Sequence, residues 1–259
     1  TFANGTLPAK WADHVQNFMF SKDGAAYINC VDGILKVNAN DSVEVLSYVR
    51  DNQLLNGLGD LRVASLVDDR WIWCTTTKGL ARFDIEEATW EYLNSNPQLK
   101  SGFSGSWLIH SGSFANGKLW FTTFMKPKGA KVRYLYSYNL VADVLDSIPI
   151  APSLERKQPF SDLVNSVLEL ADGSLKLATE DLGLLTYVSS QKRWEQQLNS
   201  GHMKGNLPQG PIKTLFEDRD KNLWVSTESG LSILNASNFF INYPTAKTFS
   251  GNQLSLTGI

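Results

Sequence analysis

The chain has 259 residues, 42% hydrophobic and 11% aromatic, with 24 basic against 26 acidic side chains. That composition can fill a sizeable core and excludes a disordered chain, while a formal charge of −2 gives no general pull toward nucleic acid or an anionic membrane surface. No apolar run approaches the ~20 residues of a membrane span, and the first residues, TFANGTLPAKW, lack the basic start and apolar middle of a signal peptide.

Read in order, the chain repeats itself. Residues 14–38, HVQNFMFSKDGAAYINCVDGILKVN, predict a strand, a turn at Asp23, a second strand with Tyr27, and a third opened by Gly33. VEVL (43–46) follows as a fourth strand. Residues 63–84, VASLVDDRWIWCTTTKGLARFD, give the same pattern with a turn at Asp69 and six residues from Trp73 to Gly79, and TWEYL (89–93) closes the unit. The third copy, FANGKLWFTTF, keeps Asn116-Gly117, Trp120 and Thr123 but lacks the Gly-Leu step and carries an insertion over Phe124–Tyr134. The fourth, VNSVLELADGSLKLATEDLGLLTYV, has its turn at Asp172-Gly173, Thr179 on the second strand and Gly183 before the third, with RWEQQL (193–198) after it. The fifth and clearest, IKTLFEDRDKNLWVSTESGLSILN (212–235), spaces Trp224 and Gly230 by six again and ends with FFINY (239–243).

The turn residues Asp23, Asp69, Asn116, Asp172 and Asp220 lie 46, 47, 56 and 48 residues apart. Asp/Asn-Gly turns between runs rich in Val, Ile, Trp and Thr are hairpin signals. The strands alternate imperfectly, as sheets packed on both faces do. Four-stranded units repeating every ~45 residues predict an all-β fold, a β-propeller with five visible blades at about 11–50, 60–95, 105–150, 162–198 and 210–245. Residues 246–259 read as the start of a further blade, so the chain is expected to be a segment of a larger propeller of the seven-bladed type. The repeated glycines meet the backbone demand of a tight loop, and Trp73, Trp120 and Trp224 are read as packing between blades.

Catalytic and metal signatures are not found. His14, His110 and His202 form no metal-binding spacing, and there is no nucleophile elbow, phosphate loop or dinucleotide fingerprint. Asp218-x-Asp220-x-Asn222 mimics the opening of a calcium loop but lacks its glycine and distant glutamate, and reads as a hairpin turn. Cys30 and Cys74 read as two small buried hydrophobes. No metal, cofactor or catalytic residue is therefore assigned. The insertion is the feature the fold does not require: Phe124, Lys126, Lys128, Lys131, Arg133 and Tyr134 make a basic, aromatic-edged loop. Two readings of it stay open. It could hold the carboxylate or sulfate of an acidic sugar while a ring stacks on the pyranose, or it could be a solvated hairpin extension. The Gly- and Asn-rich segments 54–60 and 199–210 would help line the same face.

EDRDKNLWVSTESGLSILN, with GNLP shortly before it, closely resembles the two-component regulator propeller repeat, and DDRWIWCTTTKGLARFD resembles it well. The resemblance implies an input module of a bacterial signalling protein. Its placement would be periplasmic, as the extracytoplasmic part of an inner-membrane protein, with no membrane contact by this segment. It also implies an oligosaccharide or other small-molecule ligand, and further propeller and β-sandwich domains of the same chain. A homodimer of the full-length protein is among the arrangements it allows. A kinase or cyclase activity would lie downstream, outside this domain. A non-catalytic interaction scaffold and a carbohydrate-active propeller enzyme are the alternatives.

Overall fold

In the computed structural model the described residues are 15–31, 33–38, 42–48, 60–76, 79–93, 109–124, 126, 130–150, 162–197, 207, 210–234 and 240–244. They form five four-stranded antiparallel sheets, each a simple up-and-down meander in chain order. Blade one is β1 (Val15–Phe20), β2 (Ala26–Cys30), β3 (Gly33–Val37) and β4 (Val43–Tyr48). Blade two is β5 (Leu61–Val67), β6 (Trp71–Thr76), β7 (Gly79–Asp84) and β8 (Thr89–Tyr92). Blade three is β9 (Ile109–Ala115), β10 (Lys118–Thr123), β11 (Arg133–Asn139) and β12 (Val144–Ile150). Blade four is β13 (Val164–Glu169), β14 (Leu175–Thr179), β15 (Leu184–Val188) and β16 (Arg193–Gln197), with a 3-10 turn, Ser189–Gln191, before its last strand. Blade five is β17 (Ile212–Glu217), β18 (Leu223–Thr227), β19 (Gly230–Leu234) and β20 (Phe240–Pro244). The tail expected to begin a further blade, 246–259, lies outside the described residues.

The first strand of each blade packs on the first strand of the next, β1 on β5, β5 on β9, β9 on β13 and β13 on β17. Apolar clusters fill the gaps between blades, which is why the strands carry apolar residues on both faces. Met19, Tyr27 and Ile34 of blade one bury against Ala64, Ile72 and Phe83 of blade two. Trp73 faces blade three, its ring tilted against Phe114 and Tyr138 at 6.4 and 6.3 Å. Trp120 joins the cluster of Val164, Val167 and Leu177 in blade four, and its indole N–H donates to Glu169 at 2.6 Å. Trp224, in the same column of the last blade, is half-buried and donates instead to Asp218 of its own turn at 2.7 Å. Outer strands are tied as well: the Trp90 indole donates to Ser47 at 2.6 Å, and that of Trp194 to the Pro149 carbonyl at 2.9 Å.

A polar device recurs in the loop between second and third strands. The last residue of the second strand is a buried Thr whose hydroxyl donates to the carbonyl of the loop glycine. The pairs are Thr76 to Gly79 at 3.0 Å, Thr179 to Gly183 at 2.6 Å and Thr227 to Gly230 at 3.2 Å. Gly79 and Gly230 have φ of 153° and 144°, where a side chain would be strained. This accounts for the six-residue step from Trp to Gly.

The Asp218–Asn222 segment is a hairpin turn whose carboxylate is already occupied. Asp218 accepts from the backbone N–H of Asp220 and Asn222, from the Asn222 side chain and from Trp224. The Trp224 and Asn222 side chains hold its carboxyl below the usual range. Cys30 and Cys74 are buried thiols not joined in a disulfide, and burial pushes the Cys74 thiol well above its ordinary value.

Trp120→Phe keeps an aromatic ring but strands Glu169, so it is expected to cost about 2 kcal/mol. Trp224→Phe, which faces no following blade among the described residues, should cost less. Urea unfolding midpoints at unchanged slope measure both; equal losses would mean the Trp column does not bind blade to blade.

Candidate functional site

Each innermost strand begins with the same irregularity. The register with the second strand slips between Val15 and Asn17, Leu61 and Ala64, Ile109 and Ser111, Val164 and Ser166, and Ile212 and Thr214. A β-bulge at a strand end re-aims the extra residue's side chain. Here it turns a polar residue of every blade toward the common axis: Gln16, Arg62, His110, Asn165 and Lys213. All five line one cavity of about 670 Å³, together with Asn17, Ser111, Ser166, Thr214 and Phe124.

The bulges are stabilised by a buried polar column on the second strands. The Thr75 hydroxyl accepts from the Val63 N–H at 3.0 Å, and the Ser226 hydroxyl accepts from the Thr214 N–H at 3.1 Å. Ser111 and Thr122 share a 2.8 Å hydrogen bond. Asn29 donates to the Arg62 carbonyl at 2.9 Å and to Asn17 at 3.0 Å. The amide side chains also join blades across the axis: Asn17 donates to the Ala64 carbonyl at 2.8 Å, and Asn165 to the Ile212 carbonyl at 2.9 Å.

Around this ring runs a second layer, the residue that follows the second strand. In blade four it is Glu180, which accepts from Asn165 at 2.8 Å and faces Lys213 at 3.6 Å. In blade five it is Glu228, 3.2 Å from Lys213. In blade three the same place is taken by Phe124, 49% exposed, whose ring meets His110 edge-on at 5.5 Å. The His110 Nε2 atom is buried with no hydrogen-bond partner among the described residues. Burial holds this imidazole below the ordinary histidine range; Arg133 and Arg62 add to the effect, and Asn165 and Glu180 oppose it without cancelling it.

The basic insertion is split by the structure. Five of its six expected residues are described, and of these only Phe124 lines the cavity. Arg133 is 4% exposed and donates to the carbonyls of Thr123 and Phe124 and to Asp162. Leu135 pairs with Thr122 as Leu80 pairs with Thr75, so Tyr134 stands in the register place of the missing loop glycine, and Arg133 just before it ties down the start of the long loop. Lys126 pairs with the same Asp162 at 2.6 Å. Burial pushes the Asp162 carboxyl up, but Lys126 and Arg133 outweigh it and hold it below the usual range. Tyr134 lies in β11, half-buried beside Tyr136. Lys131 is exposed, and Lys128, like His14 and His202, lies outside the described residues. Of the structural residues, Gly33, Gly79 and Gly230 open the third strands, and Gly183 precedes Leu184 at φ 74°. The axial ring was missed by sequence reasoning. Its signal is an apolar-polar pair at each strand start: Val15-Gln16, Leu61-Arg62, Ile109-His110, Val164-Asn165 and Ile212-Lys213.

Among the described residues no three His, Cys, Asp or Glu side chains come together in a way that could hold a metal ion, and no helix is long and apolar enough to cross a membrane. Residues 206–229 match the family model described as two component regulator propeller, so the expected repeat is present in blade five. No curated protein matches the chain in sequence. The chain is similar in fold to the extracellular domain of the hybrid two component system BT4673 from B. thetaiotaomicron. The TM-score is 0.65 at 16% identity, over 93% of this chain and 29% of that one. The extracellular domain of BT3049 from the same organism gives 0.61 at 17% identity, over 88% and 29%. Virginiamycin B lyase from Staphylococcus aureus gives 0.58 at 11% identity, over 89% and 70%. The chain thus spans less than a third of the two extracellular domains.

Removing the charge of Asp162 leaves Arg133 buried without its partner. Asp162→Asn is expected to cost about 2–3 kcal/mol in urea unfolding, and Lys126→Gln less than about 1. Because His110 is held below its unfolded value of 6.5, the unfolded chain binds more protons as pH falls through that value. Stability is fully present above it and declines below it until the folded imidazole titrates. Thermal melting should therefore drop between about pH 7.5 and 5.5, and His110→Gln should flatten that slope; an unchanged slope would show that other groups set it.

Proposed function

We propose that this chain is an extracytoplasmic ligand-sensing input module of a bacterial signalling protein, with no catalytic role of its own, and that its ligand occupies the axial cavity. The observation that carries the reading is the ring of bulge residues. Five blades independently turn polar side chains onto one space, on a scaffold whose fifth blade matches a two component regulator propeller repeat. Hydrogen-bonding side chains converging on a cavity, with one exposed aromatic ring at its wall, suit a small polar ligand such as one end of an oligosaccharide. The likeness in fold to extracellular domains of two component systems supports the same role. The signal would pass through ligand affinity that differs between two arrangements of this module and its neighbours.

A second reading has its own support: the likeness to virginiamycin B lyase shows that this architecture also hosts enzymes. Both are decided by one experiment on the chain. Thermal melting with a panel of plant and host oligosaccharides should show a rise of several degrees at ~100-fold excess over Kd, about 2.7 kcal/mol of linkage. Lys213→Gln or Gln16→Ala should reduce that rise. No stabilisation by any member, or a rise indifferent to both substitutions, refutes the axial sensor. Chemical conversion of the stabilising glycan establishes the enzyme instead.

A further inference from the structure

The axial ring is uneven in charge. In blades four and five its cation is already answered, since Lys213 stands between Glu180 and Glu228. In the adjoining blades two and three it is not answered in the same way. The second-layer place of blade three holds Phe124 rather than a carboxylate, and no acidic side chain among the described residues lines the cavity. Among the described residues Arg62 has Asp60 as its ion-pair partner, at 3.5 Å, with both side chains about half exposed. Next to Arg62 stands His110, whose Nε2 lacks a partner although it is buried. A buried polar atom without a partner is costly, and it is relieved by a ligand that brings one.

We propose that the sector formed by Arg62, His110 and Phe124 binds the carboxylate of a small organic acid, with the carbon face of that acid lying on the Phe124 ring. The guanidinium supplies a charge-assisted hydrogen bond to one carboxylate oxygen and the imidazole N–H donates to the other. Phe124, 49% exposed at the cavity wall, covers the apolar side of the molecule, and the amides of Gln16 and Asn165 face its remaining polar groups. Sugar acids and simple ring carboxylic acids share this chemistry; they differ in the hydroxyls that would reach the amides. The proposal rests on the axial cavity being the ligand site and goes further in naming the class of ligand.

The test is calorimetric titration with matched pairs: glucuronate and glucose, galacturonate and galactose, benzoate and benzyl alcohol. At least one acid should bind at least ten times more tightly than its neutral partner. Arg62→Gln and His110→Gln should each weaken that acid about tenfold or more, and Phe124→Ala should weaken it while leaving the melting curve near wild type. Gln16→Ala separates the sources, weakening a sugar acid and leaving benzoate unchanged. The inference is overturned if no acid binds at millimolar concentration, if a neutral partner binds as well as its acid, or if binding survives both Arg62→Gln and His110→Gln. A neutral sugar whose binding falls in Lys213→Gln would overturn this inference alone and leave the sensing role standing. Absence of binding by every member of both this set and the oligosaccharide panel would remove both.

Discussion

The extra residue at the start of every innermost strand is the constraint from which the rest of the molecule follows. A bulge breaks the hydrogen-bond ladder, and the freed backbone groups need partners because water does not reach them. Those partners come from the second strands: the Thr75 and Ser226 hydroxyls accept from the Val63 and Thr214 N–H groups and Asn29 donates to the Arg62 carbonyl, while in blade three Thr122 bonds the Ser111 hydroxyl. In blades two, three and five a buried hydroxyl stands two residues after Trp73, Trp120 and Trp224, giving the Trp-x-Thr/Ser-Thr pattern, whereas blade one uses Asn29 and blade four has Ala178. The same bulge aims Gln16, Arg62, His110, Asn165 and Lys213 at the axis. One backbone irregularity thus fixes both the sequence of the repeat and the chemistry of the cavity.

Blade three shows how the plan tolerates change. In blades two, four and five the loop closes with a Thr hydroxyl on a glycine carbonyl. Here the glycine is absent and the guanidinium of Arg133 caps the carbonyls of Thr123 and Phe124 from below. A buried guanidinium needs a counter-charge, which Asp162 supplies from the start of blade four. The loop can then be long, and Phe124 is carried to the cavity wall where blades four and five keep glutamates. A substitution that looks like a defect in the repeat is what gives the ring its one aromatic member.

The fold was legible in the sequence because the turns, spaced through all five copies, and the Trp-to-Gly step of blades two and five are backbone requirements. Asp23, Asp69, Asn116, Asp172 and Asp220 all sit at hairpin turns between first and second strands. The site was less legible. A bulge has no composition of its own, and the residues it redirects are a Gln, an Arg, a His, an Asn and a Lys, which no motif search groups together. The insertion drew attention for its charge, yet charge in a sequence does not say where a side chain points: Arg133 turned inward, Lys126 sideways to Asp162, and only Phe124 reached the cavity. The ring lies in register when the copies are aligned on their first strands, at Gln16, Arg62, His110, Asn165 and Lys213.

The axial residues are also the ones that join blade to blade. Asn17 ties blade one to blade two, and Asn165 ties blade four to blade five while holding Glu180 against Lys213. A ligand drawn into the cavity would compete for or reinforce these same groups, so its binding energy acts directly on the angle between neighbouring sheets. Packed interfaces deform in steps rather than continuously. Phe18 and Phe20, 53% and 71% exposed, and Phe216, 46% exposed, line a second cavity of about 430 Å³ along the same first strands with Ala64, Val167 and Leu215, so such a step would change the apolar lining of that space.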